Sequence, residues 1–543
     1  MRRSFRALGF ALSLGAGGAA LCQSLPPVAQ SSQEQTVNSH TANGQPNTAL
    51  PPASQTPVGL PTVSQPNVTP PAVTRPAIAS EPVRAPIDRR GIVQRPSTGA
   101  GMALPDPSAD PLAIDMANDP ILRLAGSHAA FGEFRDTVQQ AVRRNPSTAE
   151  YDALRDEAKS VIEEAQERRL PSADLNISTY RVLSRDFSND PNNIVESSRP
   201  QQRTDAILSV SQTLFDFGAG RSRVSAAGAR LRAAAAEAEY GADRVALNTV
   251  GAWYDVFAYR ALVELSEGFI ANQEELRDAV AERIRQGASA RGDTARVESY
   301  LASAQTRLAR YRRQLANAEA RFTEMTGAPA AAGLQRAPAP DVPAMTKDSA
   351  AFAALQTPAA RAAQAQADSA RQEAKAARAD TRPIIAVGLD AGRYGVIEND
   401  RDYDVRGRIT IRQRLFGGAQ PRADQYAART RSADARATRI REEAARDAAI
   451  AWTDVQALEE QVKALTASYI ASRRSRDVLI ERFVNARGDL FDVVQAEDAY
   501  FETAAAYVQA LSELDAARYV LLSRTGGLLS ALEIDPATIG GQK

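Results

Sequence analysis

The sequence predicts a mainly α-helical chain with two pairs of β-strands, in which a long antiparallel helical hairpin follows each strand pair. Three observations lead to this prediction: short motifs recur far apart, alternating polar and apolar residues precede each long segment, and the long segments place apolar residues at spacings of three and four. The recurring motifs are Gln212-Thr-Leu-Phe215 and Gln413-Arg-Leu-Phe416, Trp253 and Trp452, and Arg291-Gly-Asp293 and Arg487-Gly-Asp489. Their offsets of 201, 199 and 196 residues exceed any solenoid period and indicate two copies of one large unit.

The composition excludes several functional classes. The 543 residues include 65 basic and 65 acidic side chains, so a formal net charge of zero gives no reason to expect a nucleic-acid partner. Beyond His40, His128 and Cys22 the chain contains no further histidine or cysteine. Histidine-based catalysis, Cys–His nucleophiles and the usual zinc sites are therefore excluded from residue 129 onward, although a carboxylate-only site is not. We predict a protein that is not an enzyme and uses no metal or cofactor.

The first 22 residues have the pattern of an export signal. Three arginines within the first six residues precede an apolar run from Ala7 to Leu21, which is too short to span a bilayer. Cys22 suggests a lipoprotein, but Leu21 occupies the position where a lipid-attachment motif needs a small residue. An incidental cysteine near the cleavage site is the preferred interpretation. No later run is long and apolar enough for a membrane helix, so any membrane span of the exported protein must be β.

Residues 23–127 form a proline-rich arm. The stretch from 23 to 125 holds 18 of the 30 prolines and is also rich in Ser, Gln, Thr and Val. Such a composition supports neither regular helix nor a packed core, so we expect a disordered or extended segment. A plain linker is the simpler interpretation, and a spacer or a partner contact is the alternative.

The first repeat spans residues 128–330 and opens with a helix and two strands. Apolar residues spaced by four predict a helix that begins near Phe131 and continues past Asn145-Pro146 to about Arg169. Alternating polar and apolar residues then predict two strands, joined by a polar loop. One strand is centred on Ile177 and the other on Val210.

A long helical hairpin completes the first repeat. The stretch 220–286 contains no proline, and as one helix it would be roughly 100 Å long. No compact globular domain needs such a helix. The tip is predicted at 287–292, and a return helix runs from Asp293, placed as its cap, to about Met325.

The second repeat, residues 357–527, follows a linker at 331–356 and precedes a tail at 528–543. Its predicted elements are a helix over 357–379, strands over 385–391 and 407–415, a helix over 422–485, a tip at 486–488 and a helix over 489–524. The last strand has one apolar face, and its other face carries arginines. These are Arg406, Arg408, Arg412 and Arg414.

Four strands cannot close a barrel within one chain, because single-chain bacterial barrels have at least eight. A strand pair with one apolar face must pack on a core or lie in lipid, and the rest of the chain is long helices. Several chains together solve the problem: three copies supply twelve strands, and four copies would also close a barrel. Helices with narrow apolar stripes pack side by side, so a ring of them would enclose water. The sequence therefore describes a hollow duct.

The order and duplication of these features resemble the TolC-type outer membrane efflux proteins over residues 130–527. The resemblance rests on Asn145-Pro146, Leu170-Pro171, the two Gln-x-Leu-Phe junctions with Gly218 and Gly417-Gly418, and the tip that leads into Asp492-Val-Val-Gln-Ala496. It implies a homotrimer in the outer membrane of a Gram-negative bacterium, with a twelve-stranded transmembrane β-barrel and a periplasmic helical barrel. It also implies a periplasmic adaptor protein and an inner-membrane pump, either an ABC exporter for type I protein secretion or a proton-driven multidrug exporter. The proline-rich arm departs from the family pattern.

The resemblance further implies a gate at the periplasmic tips. Asp492 matches a family position where acidic residues ring the aperture, and Gln495 replaces a second acid, so we expect one ring that attracts cations. A solvated first-turn aspartate favoured by the helix dipole is the alternative. Arg487 and Asp489 are candidates for salt bridges that hold the tip closed, against ordinary surface ion pairs. The remaining tip residues, where the adaptor would dock, are Gly488, Arg291, Gly292 and Asp293.

Membrane-facing residues complete the expectations. The arginines of the last strand are predicted to line the barrel lumen, because a lipid-facing arginine costs up to about 2–4 kcal/mol. There they would favour anionic cargo or pair with acids on neighbouring strands. Phe215 and Phe416 fit an aromatic girdle at the membrane interface. Trp253 and Trp452 are interpreted as packing residues.

Two functional classes follow from this pattern. The first is the outer membrane duct of a tripartite export system. The second is an exported coiled-coil scaffold or adhesin without a pore. Alternating strands with an arginine-rich face favour the duct, because a scaffold needs neither feature.

Overall fold

The computed structural model describes residues 104–105, 108, 118–126, 128–184, 200–287, 289–340, 342, 344–398, 402–485 and 487–535. The predicted export signal with Cys22, most of the proline-rich arm, and the tail beyond residue 535 lie outside these ranges. So do residues 185–199 of the first loop between strands, and Ala486 of the second tip.

The first repeat consists of short helices, a strand pair and a long helical hairpin. Helix α1 (Pro120–Arg123) precedes this repeat, whose own elements are α2 (Phe131–Arg144), α3 (Pro146–Glu167), β1 (Ser172–Arg181), β2 (Gln202–Phe215), α4 (Ala219–Arg285) and α5 (Gly292–Thr326). Helix α4 has 67 residues, which corresponds to roughly 100 Å and confirms the predicted length.

The second repeat has the same order of elements. Helix α6 (Lys347–Ala354) precedes it, its own elements are α7 (Pro358–Ala379), β3 (Ile384–Tyr394), β4 (Asp402–Arg412), α8 (Ala419–Val484) and α9 (Leu490–Arg524), and α10 (Leu528–Ala531) lies in the tail. Helix α6 lies within the stretch predicted as a linker, and a capping box formed by Thr346 and Ser349 begins it. The predicted mainly α-helical class with four strands is confirmed.

Three predicted details are wrong. The opening helix does not continue past Asn145, whose backbone is extended and whose side chain accepts a hydrogen bond from the Ser147 N–H at 2.9 Å. A residue before proline avoids the helical region, so Asn145 ends α2 and caps α3. Strand β4 ends at Arg412, which leaves Arg414 outside it. Asp293 is not the N-cap of α5: that position is Arg291, and Asp293 lies in the first turn and accepts from the Ala290 N–H at 3.1 Å.

The strands form one antiparallel sheet in the order β1-β2-β3-β4. The central pair joins the two repeats, with Val210 opposite Leu389, and the register shifts between Thr213 and Phe215. Within the described residues, β1 pairs only with β2 and β4 pairs only with β3. Each edge strand therefore presents a row of unpaired backbone groups, which is a template for pairing with another chain.

The sheet has an exposed apolar face. Leu175 lies opposite Leu208, which lies opposite Ala391, and Val387 lies opposite Ile409. Ile409 is 74% exposed and Leu175 is 65% exposed. The opposite face carries polar residues, including Asp174, Ser209, Asp390 and Arg406. This alternation confirms the sequence pattern, but no core covers the apolar side in the described chain.

Buried apolar clusters hold the helices together. One cluster surrounds Trp253 and contains Phe134 and Tyr519, so it joins the opening helix to both hairpins. A second cluster lies farther along the hairpins and contains Phe269 and Phe501, whose ring centroids are 4.7 Å apart. Among the helices of the described residues, none combines the length and the apolar character needed to cross a membrane.

Candidate functional site

The tips of the two hairpins pack against each other. Val280 and Val297 of the first hairpin form a buried cluster with Phe483 and Val493 of the second. Arg283 adds a polar link, because its guanidinium donates to the Phe483 carbonyl at 2.6 Å and lies 4.2 Å from the centre of the Phe483 ring. The tips therefore form one packed unit, and the predicted site residues lie at its end.

Asp492 and Gln495 lie on the solvent face of α9. Asp492 is in the first turn and Gln495 follows one turn later, and both are exposed, whereas Val493 and Val494 between them are buried. Asp489 is the N-cap of this helix and accepts from the Phe491 N–H at 3.3 Å. The first turn of α9 thus presents one carboxylate and one amide to solvent, near the positive end of the helix dipole.

The Arg-Gly-Asp turn at the second tip is set by its glycine. A Cβ at Gly488 would lie 3.0 Å from the backbone nitrogen of Phe483, so a side chain here would require that backbone to shift by a few tenths of an ångström. At Gly292 the corresponding position is open. Arg487 is held through its backbone, since its N–H donates to the Arg482 carbonyl at 2.9 Å.

The predicted salt bridges at the tip are not formed among the residues that the structure describes. In the ranges that the structure describes, neither Arg487 nor Asp489 takes part in an ion pair, and both are exposed. The nearest ion pair on α4 at this end is the local one between Arg285 and Glu282. Packing at the valine cluster and the Arg283 contact hold the two tips together instead.

A buried polar network on α8 and α9 was missed by the sequence analysis. Asp119, from the end of the proline-rich arm, accepts a hydrogen bond from the Tyr469 hydroxyl at 2.9 Å and forms an ion pair with Arg473. The Tyr469 hydroxyl also lies 3.1 Å from that of Tyr500. Burial, more than any other effect, raises the pKa of Tyr469, so its hydroxyl is a permanent donor. The signal in the sequence was Asp119-Pro120, a capping residue followed by proline in a first helical position.

The same network contains a buried arginine with two acids. Arg476 is fully buried, and its guanidinium donates to Asp477 at 2.7 Å and lies over the Tyr500 ring, 4.3 Å from the ring centre. Glu497 lies 3.9 Å from Arg476 and is 4% exposed. Burial raises the pKa of Glu497 to about 7, and although Arg476 opposes this shift, Asp477 adds to it.

The arginines of β4 share the polar face of the sheet. Arg406 forms an ion pair with Asp404 of the same strand, and Arg408 lies 3.7 Å from Asp390 of β3. Arg412 is on the same face, opposite Ile384. The expected pairing with an acid on a neighbouring strand is therefore seen for Arg408, whereas Arg406 pairs within its own strand.

The aromatic residues at the strand-to-helix junctions differ in their contacts. Phe215 ends β2, is half exposed, and contacts Phe217 with ring centroids 4.6 Å apart. Phe416 follows β4 and is 90% exposed. Both positions provide aromatic surface beside the sheet, as an interface girdle requires.

The two tryptophans have equivalent roles. The indole N–H of Trp253 donates to the Gln335 carbonyl at 2.9 Å, and that of Trp452 donates to the Met345 carbonyl at 2.9 Å. Both acceptors belong to the segment between the repeats. The tryptophans therefore fasten this segment to the long helices, which agrees with the packing role predicted for them.

Comparisons with known proteins agree with this architecture. Residues 137–328 match the model of the family described as outer membrane efflux protein. The chain is 22% identical over 324 residues to the outer membrane efflux protein BepC of Brucella suis, covering 59% of this chain and 71% of BepC.

Solved structures show the same fold. The outer membrane protein VceC of Vibrio cholerae superposes with a TM-score of 0.64 at 18% identity, over 73% of this chain and 96% of VceC. The MtrE outer membrane channel of Neisseria gonorrhoeae, solved in its open state, gives a TM-score of 0.62 at 19% identity, over 73% of this chain and 89% of MtrE. The chain is therefore similar to the outer membrane efflux proteins over residues 137–328, and it shares the fold of the outer membrane protein VceC and the outer membrane channel MtrE.

Proposed function

We propose that this protein is the outer membrane duct of a tripartite export system, and that three copies assemble into the duct. Three four-stranded sheets, joined β4 to β1 between neighbours, would supply twelve strands. That closure would satisfy both unpaired edges of each sheet and turn its apolar face toward lipid. The observation that carries the proposal is this exposed apolar face, which continues across the sheet, while neither edge strand has a second partner among the described residues.

The long hairpins support a periplasmic passage behind the barrel. Helices of 67 and 66 residues reach roughly 100 Å at 1.5 Å per residue. Their tips carry the exposed Asp492 and Gln495, and three copies would bring three aspartates near one axis. We assign the gate to that ring, which would attract cations and repel anions.

The proposed partners are a periplasmic adaptor protein at the tips and an inner-membrane pump. Two kinds of pump fit, an ABC exporter that secretes proteins and a proton-driven exporter of small molecules. A strain that lacks the protein separates them. Loss of a secreted protein from the medium, with drug sensitivity unchanged, assigns type I secretion, and the reverse result assigns multidrug efflux.

Oligomeric state tests the assembly directly. The full chain, extracted in detergent, is expected to have the mass of three protomers when measured by native mass spectrometry. A mass of four protomers would replace the proposed trimer with a tetramer. A monomer that is soluble without detergent would contradict the duct and favour the scaffold or adhesin.

A further inference from the structure

The end of the proline-rich arm is docked along the second hairpin. We call residues 104–105, 108 and 118–126 the clasp segment. Leu104, Ile121 and Leu124 are buried in one apolar cluster with side chains of α4 and α9, including Leu262 and Phe501. This segment therefore touches both hairpins, and it does not behave as the plain linker expected from its composition.

Three polar anchors hold the clasp segment in place. At the first, Asp119 is 1% exposed and binds Tyr469 and Arg473 of α8, while its carboxylate also accepts from the Ile121 N–H at 2.8 Å. A buried carboxylate with this many partners is fixed in position, because removing one partner leaves a buried charge uncompensated.

The second anchor lies closer to the tip. The guanidinium of Arg476 donates twice to the Pro105 carbonyl, at 3.1 Å each, and the Ser108 N–H donates to Asp477 at 3.3 Å. From Asp477 to the end of α8 at Val484 is seven residues, or about 10 Å along the helix. The clasp segment thus reaches close to the tip where Asp492 lies.

The third anchor lies at the other end of the segment. Arg336, from the stretch between the repeats, donates to the Leu124 and Ala125 carbonyls at 2.9 and 2.6 Å and pairs with Asp515 of α9 at 2.6 Å. Arg336 and Asp515 are both buried. One guanidinium therefore ties the clasp segment to α9.

These contacts point to a regulatory role. We propose that the clasp segment holds the α8–α9 hairpin against α4 and opposes widening of the periplasmic tip, so that its release accompanies opening of the duct. The anchors lie on α8 and α9, whereas the apolar contacts reach α4, so rotation of one hairpin against the other breaks one set or the other. This proposal rests on the proposed function as a duct.

A loosening variant and a locking crosslink test the clasp. Asp119→Asn keeps the shape but removes the charge opposite Arg473, and we expect the open probability in planar bilayers to rise roughly tenfold, equivalent to about 1.4 kcal/mol. Glu533→Gln is the matched control, because it removes the exposed pair with Arg135 and should leave the open probability unchanged.

The crosslink joins the clasp segment to α8. In a Cys22→Ser background, Ser108→Cys and Asp477→Cys are joined by a short cleavable bifunctional maleimide. This crosslink should keep the channel closed until the linker is cleaved.

Hydrogen exchange separates the possible failures. Faster amide exchange at residues 473–484 in Asp119→Asn reports release of the clasp without relying on conductance. Release with an unchanged open probability would overturn the proposal, and so would unchanged exchange together with unchanged conductance. A wild-type protein that conducts no current would contradict the duct itself. In that case the exchange rates alone would show whether the clasp segment holds the hairpin. Equally slow exchange at residues 473–484 in wild type and in Asp119→Asn would refute the clasp as well.

Discussion

Glu497 of α9 lies 3.9 Å from Arg476 of α8, and both side chains are buried. Within the described residues, Glu497 Oε2 has no hydrogen-bond partner. The distance between the two groups is too long, and the site too poorly solvated, to stabilise the charged carboxylate well. This agrees with the raised pKa of about 7 for Glu497.

This contact predicts a pH-dependent stability. The pKa of Glu497 is raised from an ordinary 4.5 to about 7 in the folded protein, so its contribution to stability is complete below pH 4.5 and is lost as the pH rises through 7. The difference corresponds to at most about 3 kcal/mol. Glu497→Gln should therefore gain thermal stability relative to wild type between pH 5 and pH 8. A melting-temperature difference that stays constant over this range, as expected for Glu533→Gln, would refute the assignment.

The gate assignment predicts a change in ion selectivity. Asp492→Ala removes one negative charge per chain from the tip, and one such charge at 4 Å corresponds to about 1 kcal/mol, or roughly fivefold in cation preference. Reversal potentials measured across a salt gradient should show this loss, and Gln495→Asp should strengthen the preference for cations. Asp498, which pairs with Arg307 farther along the helix, provides the control Asp498→Asn. Unchanged selectivity in Asp492→Ala would remove it from the gate.

The two glycines of the Arg-Gly-Asp turns should respond differently to alanine. At Gly488 the new Cβ would lie 3.0 Å from the Phe483 backbone nitrogen, so Gly488→Ala should destabilise the tip by about 1–3 kcal/mol. At Gly292 the position is open and lies at the start of α5, so Gly292→Ala should be neutral or stabilise by up to about 1 kcal/mol. Thermal unfolding of both variants in detergent measures the contrast. Equal changes in the thermal stability of the two variants would show that the close approach at Gly488 does not destabilise the alanine variant.

The orientation of the sheet gives a matched pair of substitutions. Ile409→Arg places a charge on the apolar face, where lipid exposure costs about 2–4 kcal/mol at the bilayer midplane. Thr410→Arg places the same charge on the adjacent residue, which faces the polar side opposite Ala386. The amount of assembled protein in outer membrane fractions should fall for Ile409→Arg and remain near wild type for Thr410→Arg. The opposite order would invert the assigned faces.

Much of the fold was predictable because its signals are long and repeated. The proline-free stretch that became α4 and the alternation that became the sheet each extend over many residues, so local exceptions did not hide them. Trp253 and Trp452 marked the repeat and have matching hydrogen bonds.

The errors have local physical causes. Asn145 ends a helix because proline follows it, and the apolar spacing on either side concealed that break. The role of Asp119 was not predictable, since its partner Arg473 lies 354 positions away in the sequence. A composition averaged over the arm showed its prolines but not the few residues that dock. At the tip, the exposed Arg487 and Asp489 form no ion pair with the described residues, and their closeness in the sequence did not predict this.

Single-channel recording of the purified full-length protein in planar bilayers shows directly whether the protein forms a pore. We expect stepwise ionic currents that prefer cations and that appear only with the trimeric fraction. Protein that is verified as inserted by protease protection but conducts no current would contradict the proposed duct.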